Sequence, residues 1–263
     1  MKTSKTMAVA AAALALAAVA ATAEPYVVMP NGQRVQGTAI RMTATGDINL
    51  TTAQGIRTFA KGSFLKAVAD EPAEYKQATA ALAAGKYDVA EKLCKDIATK
   101  FRGLTWDVEA TKVLGKAQIG KGDAEGAVQT YEKLFTMSAE AKKDNALQWD
   151  YRRALLAAKQ YSRLAGQLDQ VAANGSRADA ARAQTMRGDI QLAQNNVEGA
   201  ALDYLRTAIL FADVKDADVL GEACFKAAQT LEQLRDPRAK EMYAKVANEY
   251  GSSKYAAQAR GKM

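Results

Sequence analysis

A small residue returns at nearly constant intervals along most of this chain, and that return constrains the fold more than any other feature of the sequence. It stands at Ala90, Ala127, Ala165, Ala200 and Ala239, with spacings of 37, 38, 35 and 39 residues. Four positions later come Cys94, Tyr131, Asp169, Tyr204 and Tyr243, and twelve positions earlier Ala78, Gly115, Arg153, Gly188 and Ala227. A repeat of this length is one supersecondary unit that buries its apolar face only by stacking on its neighbours. Two antiparallel helices approach closely where both present a small side chain, and a ring one turn further on fills the space between successive hairpins. Short turns separate the helices at Gly85-Lys86, Gly120 to Asp123, Asn195-Asn196 and Arg235-Asp236. Asp236-Pro237 adds a helix start, with a capping carboxylate followed by proline. Residues 70–263 are therefore expected to form about five helical hairpins, a mainly α solenoid. The third repeat departs from the frame, because Arg153 and Asp169 stand where a small residue and a ring are expected, so it is either distorted or out of register.

Ahead of the repeats the period changes to two. Tyr26 to Met29 leads into Pro30-Asn31-Gly32-Gln33, and Asn-Gly between apolar runs is a strong hairpin signal. Val35 to Thr43, Ile48 to Thr51 and Ile56 to Phe59 follow, with glycine turns between them. Residues 26–68 thus read as a small all-β module of four or five strands, either a meander or, by its glycine-turn pattern, something similar to an SH3-like barrel. About 40 residues is near the lower limit for a core without staples, so the module should lean on the first helical repeat or on a partner.

Residues 1–23 read as an export signal. Lys2 and Lys5 open it, an apolar run spans Met7 to Ala21, and Ala21-Thr22-Ala23 offers small residues for cleavage after Ala23. The apolar run is about 15 residues, short of the roughly 20 a membrane span needs. The expected location is periplasmic, with secretion as the alternative. Removing the signal leaves 36 − 2 = 34 bases against 29 acids, a mild excess without basic runs longer than two residues. Such a charge pattern gives nucleic acid little to hold. The sequence contains no His, the commonest general base and metal ligand. Two cysteines, Cys94 and Cys224, are too few for a zinc site and too far apart along a stack to pair. No glycine-rich phosphate loop opens a helix, since Gly120 to Asp123 is a hairpin turn without a preceding strand. Neither catalysis, nor a cofactor, nor a metal is expected. Trp149, Tyr151 and Arg152-Arg153 form the densest cluster of large side chains, but sequence neighbours point to different faces of a helix and cannot all line one surface.

Leu114-Gly115, Ala127-x-x-x-Tyr131, Gly188, Ala200-x-x-x-Tyr204 and Ala239-x-x-x-Tyr243 resemble positions of the tetratricopeptide repeat (TPR). The tail from Ala239 to Arg260 is similar to repeats of bacterial envelope proteins of the cell-division coordinator and barrel-assembly lipoprotein types, although Gly251 stands where those often have proline. The resemblance implies a right-handed α-solenoid whose concave face is lined by the first helix of each pair. It implies groove positions at Glu109, Lys112, Lys116 and Ile119 in repeat two, at Arg182, Thr185, Asp189 and Leu192 in repeat four, and at Tyr75 and Leu82 in repeat one. Tyr75, Lys112, Lys116, Arg182 and Asp189 are accordingly the candidate binding residues, in a groove whose three cations would suit an acidic peptide. The implied function is an exported scaffold or adaptor for other envelope proteins or peptides, at peptidoglycan or the outer membrane. The alternative is a glycan- or small-ligand-binding protein that uses the β module and the groove together.

Overall fold

The computed structural model describes residues 24–263, so the proposed export signal lies outside the described residues. The chain divides into two compact units: one contains the residues up to Tyr75 together with Ile97–Asp107, the other Lys76–Asp96 and Val108–Met263.

The first unit carries six short strands, β1 (Tyr26–Val28), β2 (Arg34–Gln36), β3 (Ala39–Met42), β4 (Ile48–Thr52), β5 (Gly55–Phe59) and β6 (Lys66–Val68). They form two antiparallel three-stranded sheets, ordered β2-β1-β6 and β3-β4-β5. The expected hairpin at Asn31-Gly32 is present, with Gly32 at φ +81° in the left-handed region where glycine carries no penalty. The single strand anticipated from Val35 to Thr43 is in fact two. Gly37 N–H donates to Pro25 O at 2.9 Å, while the next amide, Thr38 N–H, donates to Thr51 O at 2.8 Å. The chain thus changes sheets within two residues. Only glycine fits there, because a Cβ on Gly37 would lie 2.3 Å from Thr51 O. A plain meander would keep consecutive strands adjacent, whereas β6 returns beside β1, pairing Ala67 with Val27.

Val27, Ile48, Leu50, Phe59 and Ala67 form the core of this unit, and Leu104 completes it. The segment 97–107 supplies the additional surface that so small a module needs. Thr105 Oγ1 donates to Ala67 O at 3.1 Å and Trp106 Nε1 to Ala69 O at 2.8 Å. The Trp106 ring tilts against Tyr75 with centroids 5.0 Å apart.

Five helical hairpins make up the second unit, except that residues 73–75, 97–100 and 106–107 of their first three helices belong to the first: α1 (Ala73–Ala83) with α2 (Tyr87–Lys100), α3 (Trp106–Lys121) with α4 (Ala124–Met137), α6 (Asn145–Ala157) with α7 (Tyr161–Asn174), α8 (Arg177–Ala193) with α9 (Val197–Leu210), and α10 (Ala217–Gln233) with α11 (Arg238–Glu249). Two short helices, α5 (Ala139–Lys143) and α12 (Ala256–Arg260), follow the second and fifth pairs. Packing runs between sequence neighbours, α8 on α9, α9 on α10 and α10 on α11, as in a solenoid. All five hairpin turns share one device. Gly85, Gly122, Lys159, Asn195 and Arg235 each adopt positive φ. The following amide then donates back to the carbonyl five residues earlier, as in Lys86 to Ala81, Asp123 to Gln118 and Gln160 to Leu155. That arrangement ends one helix and starts the next.

The turn at Lys159 settles the third repeat, which is out of register rather than distorted. Counting from Gly122 to Ala127 and Tyr131, or from Asn195 to Ala200 and Tyr204, places the third pair at Leu164 and Leu168. Both are fully buried. The expected positions Arg153, Ala165 and Asp169 stand one residue late, and the buried member of the arginine pair is Arg152. The displacement has a physical cause: here leucines replace both the small residue and the ring, so the pattern of small and bulky side chains carries no marker. Elsewhere the helices cross closely at the expected small positions, but the glycine of the first helix meets the ring of the second rather than its alanine. A Cβ on Gly115 would stand 2.4 Å from Tyr131, and one on Gly188 would stand 2.4 Å from Tyr204.

Cys94 and Cys224 are both free and fully buried. Burial pushes each thiol up to about 12, so neither is a nucleophile at neutral pH. No helix among the described residues is long and apolar enough to cross a membrane.

Candidate functional site

The first helices of four successive hairpins, α3, α6, α8 and α10, line a cavity of about 500 Å³ in the second unit. Helical periodicity selects the side chains. Ala146, Trp149, Arg153 and Leu156 fall on one face of α6, Arg182, Thr185 and Asp189 on the matching face of α8, and Val219, Glu222 and Lys226 on α10. Lys116 enters from α3 and Lys254 from the segment after α11.

Ion pairs tie these helices together. Asp150 bridges Lys116 of the preceding pair at 3.1 Å and Arg153 of its own helix at 2.8 Å. Arg182 reaches Asp216, the N-cap of α10, at 3.0 Å. Lys226 lies between Asp189 at 2.9 Å and Glu222 at 2.6 Å, and Tyr204 Oη donates to Asp189 at 2.7 Å. Burial alone would lower the Lys226 pKa, but the charges of Asp189 and Glu222 raise it above its usual value. Burial would likewise raise Glu222, yet Lys226, Lys254 and Arg153 hold it below the usual carboxylate range. Both stay ionised at neutral pH, which gives the cavity a fixed charge pattern.

Two of the acids sit deeper than three of the cations. The side chains of Asp150 and Asp189 are only 14% and 15% exposed, whereas those of Lys116, Arg153 and Arg182 are 49%, 56% and 40% exposed. Asp150 and Asp189 form the floor together with Lys226, whose side chain is 24% exposed, and Lys116, Arg153 and Arg182 lean out over it on their aliphatic stems. Trp149 gives the floor its apolar part. Its indole is anchored by donation to Asp179 at 3.0 Å, with the guanidinium of the buried Arg152 4.6 Å from the ring centroid.

Of the five residues expected to bind, Lys116, Arg182 and Asp189 come together here. Lys112 does not line the cavity; it is held by Glu109 at 3.1 Å and Asp144 at 3.3 Å. Tyr75 belongs to the other unit, against Trp106. The groove is also less simply basic than three isolated cations would make it, because Lys112, Lys116 and Arg182 all have carboxylate partners. The α6 contribution escapes a count that starts one residue late. Counted from Leu164 rather than Ala165, the same spacing rule that found Arg182 and Asp189 yields Ala146, Trp149, Arg153 and Leu156. The dense cluster around Trp149 divides as expected. Trp149 and Arg153 face the groove, while Tyr151 packs edge-on against Tyr131 and Phe135 with its hydroxyl on Glu132 at 2.9 Å. Among the described residues no three His, Cys, Asp or Glu side chains converge as a metal site.

No protein-family model matches the sequence, and no curated protein does. Two solved structures of a Podosopora anserina putative kinesin light chain with nearly identical TPR-like repeats, one of them a single-residue variant, are similar to this chain. The variant aligns at TM-score 0.48 and the other form at 0.47, both at 16% identity, over 66% of this chain and 91% of theirs. The assignment to TPR-like helical hairpins rests on this chain's own geometry: five pairs, five equivalent left-handed turns and two glycine-on-tyrosine crossings.

Proposed function

We propose that this protein is an exported, non-enzymatic adaptor that holds an extended segment of another envelope protein in the groove between α3 and α10. Helical-repeat surfaces of this kind serve protein–protein contact. The observation that carries the reading is the depth of charge, with Lys116, Arg153 and Arg182 projecting over the partly buried Asp150 and Asp189. A bound segment meets the cations first, beside the apolar face of Trp149. An acidic, partly apolar peptide suits that order. The location is proposed from residues 1–23, read as a periplasmic export signal cleaved after Ala23. The bacterial envelope TPR type and an SH3-like character for the β unit belong to the same proposal.

Co-purification of the tagged full-length protein from envelope extracts tests it. Arg153→Ala with Arg182→Ala should reduce recovery of the native partner by about tenfold or more, since each removes a charged hydrogen-bond donor. Recovery from the unmodified protein should fall as salt rises. Thermal stability should move little, because Arg153 is exposed and Arg182 partly so, and ion pairs in such positions contribute little. Undiminished capture by the double variant would place the partner elsewhere.

A further inference from the structure

The first unit carries a cleft of its own, about 440 Å³, independent of the groove. Its walls are the β3–β4 turn, the segment around Lys61 and Phe64, and the stretch from Thr99 to Arg102. Four cationic side chains converge on it, Arg41, Lys61, Lys100 and Arg102, and no carboxylate lines it. The imbalance belongs to the module as a whole: residues 26–68 contain five bases (Arg34, Arg41, Arg57, Lys61, Lys66) and one acid, Asp47.

The nearby acids are already committed. Asp47 accepts the Lys61 backbone N–H at 2.9 Å and the Thr45 hydroxyl at 2.8 Å. Glu74 stands 3.5 Å from Lys100 Nζ. Neither meets the guanidinium of Arg41 or Arg102, and among the described residues these two have no ion pair. Arg34 and Arg57, by contrast, lie over the rings of Tyr26 and Phe59. Lys100 keeps Glu74 as a partner, but Arg41, Lys61 and Arg102 face the same cleft without one among the described residues, and a compact, multiply charged anion relieves their mutual repulsion. Guanidinium forks match phosphate oxygens in pairs, while the two lysines add point charges.

We propose that the cleft bounded by Arg41, Lys61, Lys100 and Arg102 binds a ligand bearing two or more linked or adjacent phosphates, either a soluble polyphosphate or a phosphorylated lipid headgroup. Phe64 and Met42 provide an apolar wall for the body that carries those phosphates. This second site does not depend on the adaptor reading and would survive its failure.

Titration calorimetry on the full chain with tripolyphosphate in low salt tests the proposal, with citrate as a carboxylate probe of similar charge. Saturable one-to-one uptake of tripolyphosphate is expected, clearly tighter than that of citrate. Arg41→Gln with Arg102→Gln should weaken it by about tenfold or more. Lys133→Ala with Lys240→Ala, which removes the same charge from the other unit, should change it less than about twofold. Arg41→Lys with Arg102→Lys keeps the charge and should retain measurable uptake, a check that remains informative if the glutamine variant misfolds. Sedimentation with phosphatidylcholine vesicles containing phosphatidylinositol 4,5-bisphosphate, whose headgroup carries two adjacent phosphates, separates the sources. Vesicle binding displaced by tripolyphosphate identifies a headgroup ligand, and its absence identifies a soluble one. No uptake of tripolyphosphate, equal uptake by the glutamine variant, or equal affinity for citrate would overturn the proposal.

Discussion

Gly188→Ala is expected to destabilise the helical unit by about 1–3 kcal/mol, the usual cost of overpacking a filled core. Taken alone, the backbone argues the other way. Glycine inside a helix is less favourable than alanine by about 0.5–1 kcal/mol, so the substitution would ordinarily help. Here the added Cβ would stand 2.4 Å from Cε1 of Tyr204, a ring with no exposed surface whose hydroxyl is fixed on Asp189. The ring has nowhere to retreat without giving up that bond and opening the crossing of α8 on α9. Gly115→Ala should behave alike, for the same 2.4 Å approach to Tyr131. Gly166, in α7, has open space around the equivalent Cβ, so Gly166→Ala should stabilise by about 0.5–1 kcal/mol. Urea midpoints followed by helical circular dichroism measure all three. The same sign at Gly188 and Gly166 would mean that the close crossing does not set the packing.

Leu104→Ala should cost about 2–5 kcal/mol, the range for emptying a buried leucine site, and the loss should fall on the β unit. Leu104 is 2% exposed and sits with Val27, Leu50 and Phe59, although it lies some 36 residues beyond the last strand. Repeat unfolding is additive along a stack rather than shared through one core, so the later hairpins should keep their protection. Hydrogen exchange read by segment would show it: β1, β4 and β6 lose protection while α8 to α11 retain it. Uniform loss along the chain would contradict the division into units. A truncation at residue 68 would similarly leave Phe101, Leu104 and Trp106 without their packing partners.

What the sequence disclosed follows from where its signals are local. Helical period and the Asn31-Gly32 turn each depend on residues a few positions apart, and both were legible, as were the small positions Gly115 and Gly188, though not the rings that cover them. The third repeat was not, because its turn residue is Lys159 rather than glycine or asparagine and its packing pair is leucine on leucine. The chain's change of sheet at Gly37 was hidden inside a run that alternates well enough to pass for one strand. Strand β6 follows the turn at Gly62-Ser63, but three residues are too few to show an alternation, and the role of Leu104 depends on a contact no periodicity records. In the groove, Lys116, Arg182 and Asp189 followed from position counting. Their ion-pair partners Asp150, Asp216 and Lys226 come from neighbouring hairpins, and only stacking reveals them.

The central claim is that partner segments lie along the groove side of the first helices. Site-specific photo-crosslinking tests it most directly, and the chain is suited to it because both native thiols are buried and deprotonate only near pH 12. A benzophenone attached at Arg153→Cys, on the groove face of α6, should crosslink the native partner in envelope extracts. The same probe at Arg206→Cys, on the second helix α9, should crosslink it at least about tenfold less, since its reach is no more than a few side-chain lengths. Equal crosslinking from both positions, or a stronger product from Arg206→Cys, would contradict the groove as the binding surface.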